Sequence, residues 1–103
     1  MKSRRSKATD ISDKIREKVL ERDKACIYCN HGFMLGVAHK ISRAKGGLGI
    51  PENLVVLCAS CHHDLDHSKD KAIRENMAEY VATYLKLCYP KVTDDDRVYK
   101  KGE

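Results

Sequence analysis

Apolar residues fall into four short patterned stretches, separated by charged or glycine-containing segments. Ile11, Ile15 and Val19 recur every four residues behind Ser12, a good N-cap. They predict a helix over about 12–22 with one apolar stripe for packing. Phe33 to Ile41 has a looser alternation that predicts two short strands or a ragged hairpin, entered through the turn signal Asn30-His31-Gly32. Residues 44–49 (Ala-Lys-Gly-Gly-Leu-Gly) read as a flexible loop. Leu54-Val-Val-Leu57 is a continuous apolar, β-prone run ending directly in Cys58, and a helix is expected from Ala59 or Ser60 to about Asp66. A last helix spans about 71–87, capped by Asp70 or Ser68 and stopped by Pro90. Its expected core face carries Ile73, Met77, Ala78, Val81, Tyr84, Leu85 and Cys88. The ends lack such patterning: residues 1–9 read as a disordered basic tail, and 91–103, with Asp94-Asp-Asp96, as a solvated flexible tail. No internal repeat is present.

A length of 103 residues argues for one domain, here 10–90 between the two tails. With 42% hydrophobic residues, 34% charged and no Trp, the core is expected to be thin. At that size a metal or cross-link is a common source of stability. The first ten residues are basic and polar, with no apolar stretch after them, and no run approaches the ~18 apolar residues of a membrane span. The expectation is a soluble, intracellular protein. The net charge of +5 is uneven: residues 1–50 carry 12 Lys or Arg against 5 Asp or Glu, whereas 51–103 carry 8 against 10. A basic half fits a polyanionic partner such as nucleic acid, and equally a plain solvated surface.

The cysteines narrow the choice. Cys26-x2-Cys29 and Cys58-x2-Cys61 are identically spaced pairs 28 residues apart. Four thiolates satisfy a tetrahedral Zn²⁺ and leave no open position, the mark of a structural site. In a reducing compartment this explains four of five cysteines better than disulfides or thioredoxin-type redox chemistry. Cys88 has no partner at metal spacing and is expected to act as a small buried hydrophobe. The long loop between the pairs holds His39, Arg43, Lys45 and Asn53. Taken singly, His39 reads as a buried structural histidine or a base, and Asn53 as a turn residue.

Together these residues carry a resemblance. The run Val37-Ala-His39, then Gly46-Gly47, then Asn53-Leu-Val-Val-Leu-Cys58-Ala-Ser-Cys61-His62 resembles the HNH endonucleases, in particular their small phage and prophage members with a four-cysteine zinc site. The likeness spans about residues 10–88. It implies an α+β fold, a ββα-metal (HNH) core with a four-cysteine structural zinc, flanked by an N-terminal and a C-terminal helix. It implies a metal-dependent endonuclease that hydrolyses DNA phosphodiester bonds by nicking or cutting. His39 would be the general base, Asn53 would hold the loop and orient His39, and His62 would bind the catalytic divalent ion (Mg²⁺, Mn²⁺, Ni²⁺ or Zn²⁺).

Asp66 lies one turn beyond His62 on the same helix face and is the expected second ligand, with His67 a further candidate. Arg43 and Lys45, with Arg4 and Arg5, are candidate phosphate contacts. Many HNH enzymes carry Asp or His just before the base; this chain has Ala38, as small phage-type members often do. The resemblance further implies a bacterial cytoplasmic setting, a phage or prophage origin, a role in phage DNA packaging with terminase components as partners, and a monomer or weak dimer. The rival reading is a zinc-stabilised DNA-binding module that does not cut.

Overall fold

The computed structural model describes residues 3–100. The ends of both expected tails, 1–2 and 101–103, lie outside the described residues. Four α-helices and two strands follow in the order α1 (Arg4–Thr9), α2 (Asp13–Asp23), β1 (Leu35–His39), β2 (Leu54–Cys58), α3 (Ala59–His67) and α4 (Lys71–Cys88). Short 3₁₀ turns lie at Arg43–Lys45, Pro51–Asn53 and Asp94–Arg97. The chain thus has the mixed α+β architecture expected from the resemblance, with helices flanking a two-stranded sheet.

β1 and β2 pair antiparallel, with Leu35 opposite Cys58 and His39 opposite Leu54. This overturns the expected hairpin within 33–41: that segment supplies one strand, and its partner comes from beyond residue 53. The reason is positional. Cys58 ends β2 and caps α3, so Phe33 and Met34 have no strand opposite them and stay 74% and 78% exposed.

The continuous apolar run of β2 is explained by burial on both faces. Leu54 and Val56 pack with Val37 against Val19 of α2. Val55 and Leu57 pack with Ala38 against Met77, Val81 and Leu85 of α4. Caps match the sequence: Ser12 Oγ accepts from Ile15 N at 3.2 Å, and Asp70 Oδ1 accepts from Ala72 N at 2.9 Å. The core face of α4 is narrower than expected. Ile73 is 42% exposed and Cys88 is exposed, because the helix outruns the sheet at both ends.

A buried charge ties the layers together. The Asp23 side chain is fully buried and accepts from Val56 N at 2.9 Å, from Arg22, and from the Tyr84 hydroxyl of α4. Arg22 lies against the rings of Tyr84 and Tyr89 and donates to the carbonyls of Pro51 (2.9 Å) and Leu54 (2.6 Å). One ion pair thereby joins α2, β2 and α4. Burial and Asp23 together hold the Tyr84 hydroxyl protonated well above its usual range.

Both expected tails are structured where they are described. Residues 4–9 form α1, and Gly49 N donates to Ala8 O at 2.9 Å. In the C-terminal segment, Arg97 is buried: its Nε donates to Glu52 O (2.7 Å) and its Nη1 to Asp94 (3.0 Å). Leu48 N donates to Arg97 O, Tyr99 N donates to Gly46 O, and Gly47 bridges Val98. The loop expected to be flexible is therefore clasped from both sides.

Close approach explains its glycines. A Cβ on Gly47 would fall on the Ile41 carbonyl, and one on Gly49 on the Asp10 carbonyl. Gly47→Ala is expected to lower the free energy of unfolding by about 2 kcal/mol or more. Gly32→Ala, which meets nothing within 4 Å, should stay within about 0.5 kcal/mol of wild type. Urea denaturation of the two variants checks this.

Candidate metal centre and catalytic cleft

Cys26, Cys29, Cys58 and Cys61 converge with all four sulfur atoms within 4.8 Å of one another. A tetrahedral Zn²⁺ with Zn–S bonds near 2.3 Å requires sulfur–sulfur edges of about 3.8 Å. The Cys29–Cys58 edge is 3.6 Å. The four cysteines are thus positioned to hold one metal ion, consistent with structural zinc.

The local fold supplies this geometry. Cys26 and Cys29 sit on a tight turn after α2, closed by Asn30 N to Cys26 O (2.9 Å), with Asn30 in the left-handed region at φ 64°. Cys58 is the N-cap of α3, and its sulfur accepts from Cys61 N at 3.4 Å.

Donor chemistry agrees. Burial pushes the Cys26 thiol up, but backbone groups at Cys29, Cys58 and Tyr28 outweigh it and bring it down to about 7. Burial and the crowding sulfurs of Cys58, Cys29 and Cys26 push Cys61 well above the usual thiol value. Four sulfurs this close cannot all ionise unless a cation takes up their charge.

His39 closes β1 and is half-buried at the edge of the sheet. Its Nε2 lies 2.9 Å from the carbonyl oxygen of Thr9, at the end of α1. A carbonyl can only accept, so Nε2 carries the proton and Nδ1 of the neutral ring keeps its lone pair. Burial lowers the His39 pKa below the usual imidazole value, the charges of Arg43 and His62 lower it further, and the Thr9 carbonyl partly opposes them. Sequence reasoning missed Thr9. Every residue has a carbonyl, so no side-chain pattern marks one that acts.

A cleft of about 260 Å³ opens beside His39, lined also by Lys40, Ser42, Leu65 and Asp66. The structure therefore brings His39 and Asp66 to one cavity. His62, one turn back on α3, has Nε2 3.3 Å from Asp66 Oδ2. The two side chains thus face each other across one turn of α3 and are both exposed to solvent. His67 is not in that pair. Its ring lies 5.4 Å from His63, on a different helix face. Ala38 is 1% exposed and packs with Met77 and Val81, so its position supplies no ligand.

Asn53 is fully buried. Its Oδ1 accepts from Ile41 N (2.9 Å), and its Nδ2 donates to Leu48 O (2.9 Å) and Ile41 O (3.2 Å). Its own carbonyl accepts from Lys40 N (2.8 Å). Asn53 thus pins both ends of the 41–48 loop just after His39, and its side chain bonds backbone groups of the loop. Among the phosphate candidates, Arg43 pairs with Asp10, and Arg5 donates to Ala44 O at 2.6 Å, while Arg4 and Lys45 are exposed. Asn53→Ala strands the buried backbone groups of Ile41 and Leu48. It should cost about 2 kcal/mol or more in stability, read as a drop in the thermal unfolding midpoint, with zinc content unchanged.

No curated protein and no solved structure matches the chain. Residues 26–68 match the family model described as HNH endonuclease. That span runs from the first metal-site cysteine through His39, Asn53, His62 and Asp66 to the end of α3. It excludes α1, α2, α4 and the C-terminal segment. No helix among the described residues is long and apolar enough to cross a membrane. Residues 26–68, with their four converging cysteines, are thus similar to the HNH endonucleases, a family whose members are generally nucleases that bind DNA.

Proposed function

We propose that this protein is a metal-dependent endonuclease that hydrolyses DNA phosphodiester bonds in the cleft between the end of β1 and α3. The observation that carries this reading is the common cleft of His39 and Asp66, with His62 3.3 Å from that carboxylate. His39 accepts a proton at Nδ1 from the attacking water, while the Thr9 carbonyl holds the opposite ring edge. The water oxygen bonds to phosphorus, the P–O bond to the leaving sugar oxygen breaks, and solvent returns a proton to that oxygen. A divalent ion at His62 and Asp66 would supply Lewis-acid stabilisation of the charge on the phosphate and leaving oxygen. A zinc ion held by Cys26, Cys29, Cys58 and Cys61 would have its coordination filled by the four thiolates and would serve the fold, not the chemistry. On the resemblance to small phage-type members, the reading extends to phage DNA packaging with terminase components as partners.

Supercoiled-plasmid cleavage with Mg²⁺, Mn²⁺ or Ni²⁺ tests this. His39→Ala should cut at least about 100-fold more slowly than wild type. Equal rates would sink the reading. His62→Ala should keep its zinc and lose cleavage, whereas Cys58→Ser should lose zinc, folding and cleavage together.

The acid limb of the pH–rate profile gives a further check. A base works only when neutral, and burial lowers the His39 pKa. Cleavage should therefore persist below about pH 6.5, the ordinary imidazole value, and fall as His39 protonates beneath it. A non-cutting DNA-binding module is the second reading, favoured by the buried Ala38 in the position before the base. Under it, zinc-loaded protein would bind no Mn²⁺ through His62, and calorimetric titration decides between the two.

A further inference from the structure

Three segments remote in sequence converge, two of them outside the HNH stretch. α1, the 43–46 turn and residues 97–99 border an open cavity of about 540 Å³ lined by Ser3, Arg4, Arg5, Lys45, Gly46 and Tyr99. Its borders are held by hydrogen bonds. Arg5 Nη2 donates to Ala44 O, and Tyr99 N donates to Gly46 O at 2.8 Å. Gly46 leaves the floor open: its φ is +85°, and a Cβ there would stand between the Arg5 guanidinium and the Tyr99 backbone.

The cavity offers three cationic side chains and one aromatic ring, a combination that suits a nucleotide: charge for phosphate, ring face for base. It also extends toward His39, on the ring edge opposite the proposed base nitrogen. A neighbouring cavity of about 230 Å³ shares Arg5 and runs past Arg43 to Thr9. The carbonyl of Thr9 holds the ring of His39. On the far side of Tyr99 the charges are mixed: the next cavity shares Tyr99 and is lined by Asp95, Asp96 and Lys100, with Lys100 paired to Asp95 at 2.6 Å. Cationic side chains thus lie between Thr9 and Tyr99.

We propose that this cavity seats one unpaired nucleotide of the DNA strand flanking the cleaved phosphate, its base on the Tyr99 ring and its phosphate between Arg4 and Lys45. A base paired inside a duplex keeps its faces against its neighbours and cannot reach the ring, so the substrate class is single-stranded or locally unpaired DNA. This rests on the nuclease reading for which strand is held, but not for whether binding occurs.

The test is fluorescence anisotropy of the full-length zinc-loaded protein with a labelled 12-nucleotide oligo(dT) and a labelled 12-base-pair duplex, without added divalent metal. Wild type should bind the single strand more tightly than the duplex. Tyr99→Leu should weaken single-strand binding about five-fold or more and leave duplex binding within two-fold. Tyr99→Phe should behave as wild type. Lys45→Ala should weaken single-strand binding and lower the log–log salt slope by about 0.7. Unchanged single-strand affinity in Tyr99→Leu overturns the proposal, as does an equal loss on both probes. Tyr99-dependent binding by a protein that cuts no plasmid would defeat the nuclease reading alone. Cutting without Tyr99-dependent binding would defeat this one alone.

Discussion

Four sulfur atoms within 4.8 Å of one another impose the constraint on which the rest of this structure rests. Two of them follow α2; the other two belong to the junction of β2 and α3. A metal at their centre joins the turn after α2 to the strand that pairs with β1 and to the helix that carries His62 and Asp66. Structural zinc in small finger peptides contributes about 10–16 kcal/mol at neutral pH. Whole domains are stable by only about 5–15 kcal/mol. A metal held there would therefore contribute free energy on the scale of the stability of the whole domain. Cys61 and His62 are adjacent, so the structural centre sets the position of the proposed catalytic helix through a single peptide unit.

A second constraint acts on the connection between the strands. Residues 40–53 would be a mobile loop on their own, and three devices hold them. Asn53 bonds the backbone at Ile41 and Leu48. Gly47 and Gly49 let the chain pass against the carbonyls of Ile41 and Asp10. The segments on either side, α1 and residues 97–99, clamp the loop by backbone hydrogen bonds at Gly46, Leu48 and Gly49. Asn53 thus acts one step removed from the imidazole: it fixes the loop that leaves His39. The ring itself is held by Thr9, so the tautomer of the proposed base depends on a helix outside the family match. This division suits a small nuclease. On the proposed reading, the HNH stretch would carry the reacting groups, and elements around it would orient them and shape the surface a DNA strand would meet.

Much of this was legible in the sequence because it depends on local spacing. Two Cys-x2-Cys pairs specify ligand type, number and turn geometry within four residues each. The i, i+4 placement of His62 and Asp66 needs only that 59–67 be helical. The every-fourth-residue stripe of α2 and the continuous apolar run of β2 marked elements that the structure contains.

The errors share one physical origin. Residues 4–9 and 94–97 have no hydrophobic period of their own and are ordered by hydrogen bonds to a loop about 40 to 50 residues away. Strand pairing is likewise non-local, so Phe33 to Ile41 suggested a self-contained hairpin where β1 pairs with β2. Cys88, expected to be a small buried hydrophobe on the core face of α4, is exposed at the end of that helix. By itself the sequence determined which side chains are available for metal, base and loop-holding roles, and the local elements that carry them. Only the tertiary structure decided which backbone carbonyl faces His39, where the sheet ends beneath α4, and that Arg4, Lys45 and Tyr99 share one cavity. Those outcomes depend on long-range backbone contacts, whose donors and acceptors are nearly the same at every position and leave no mark in the order of side chains.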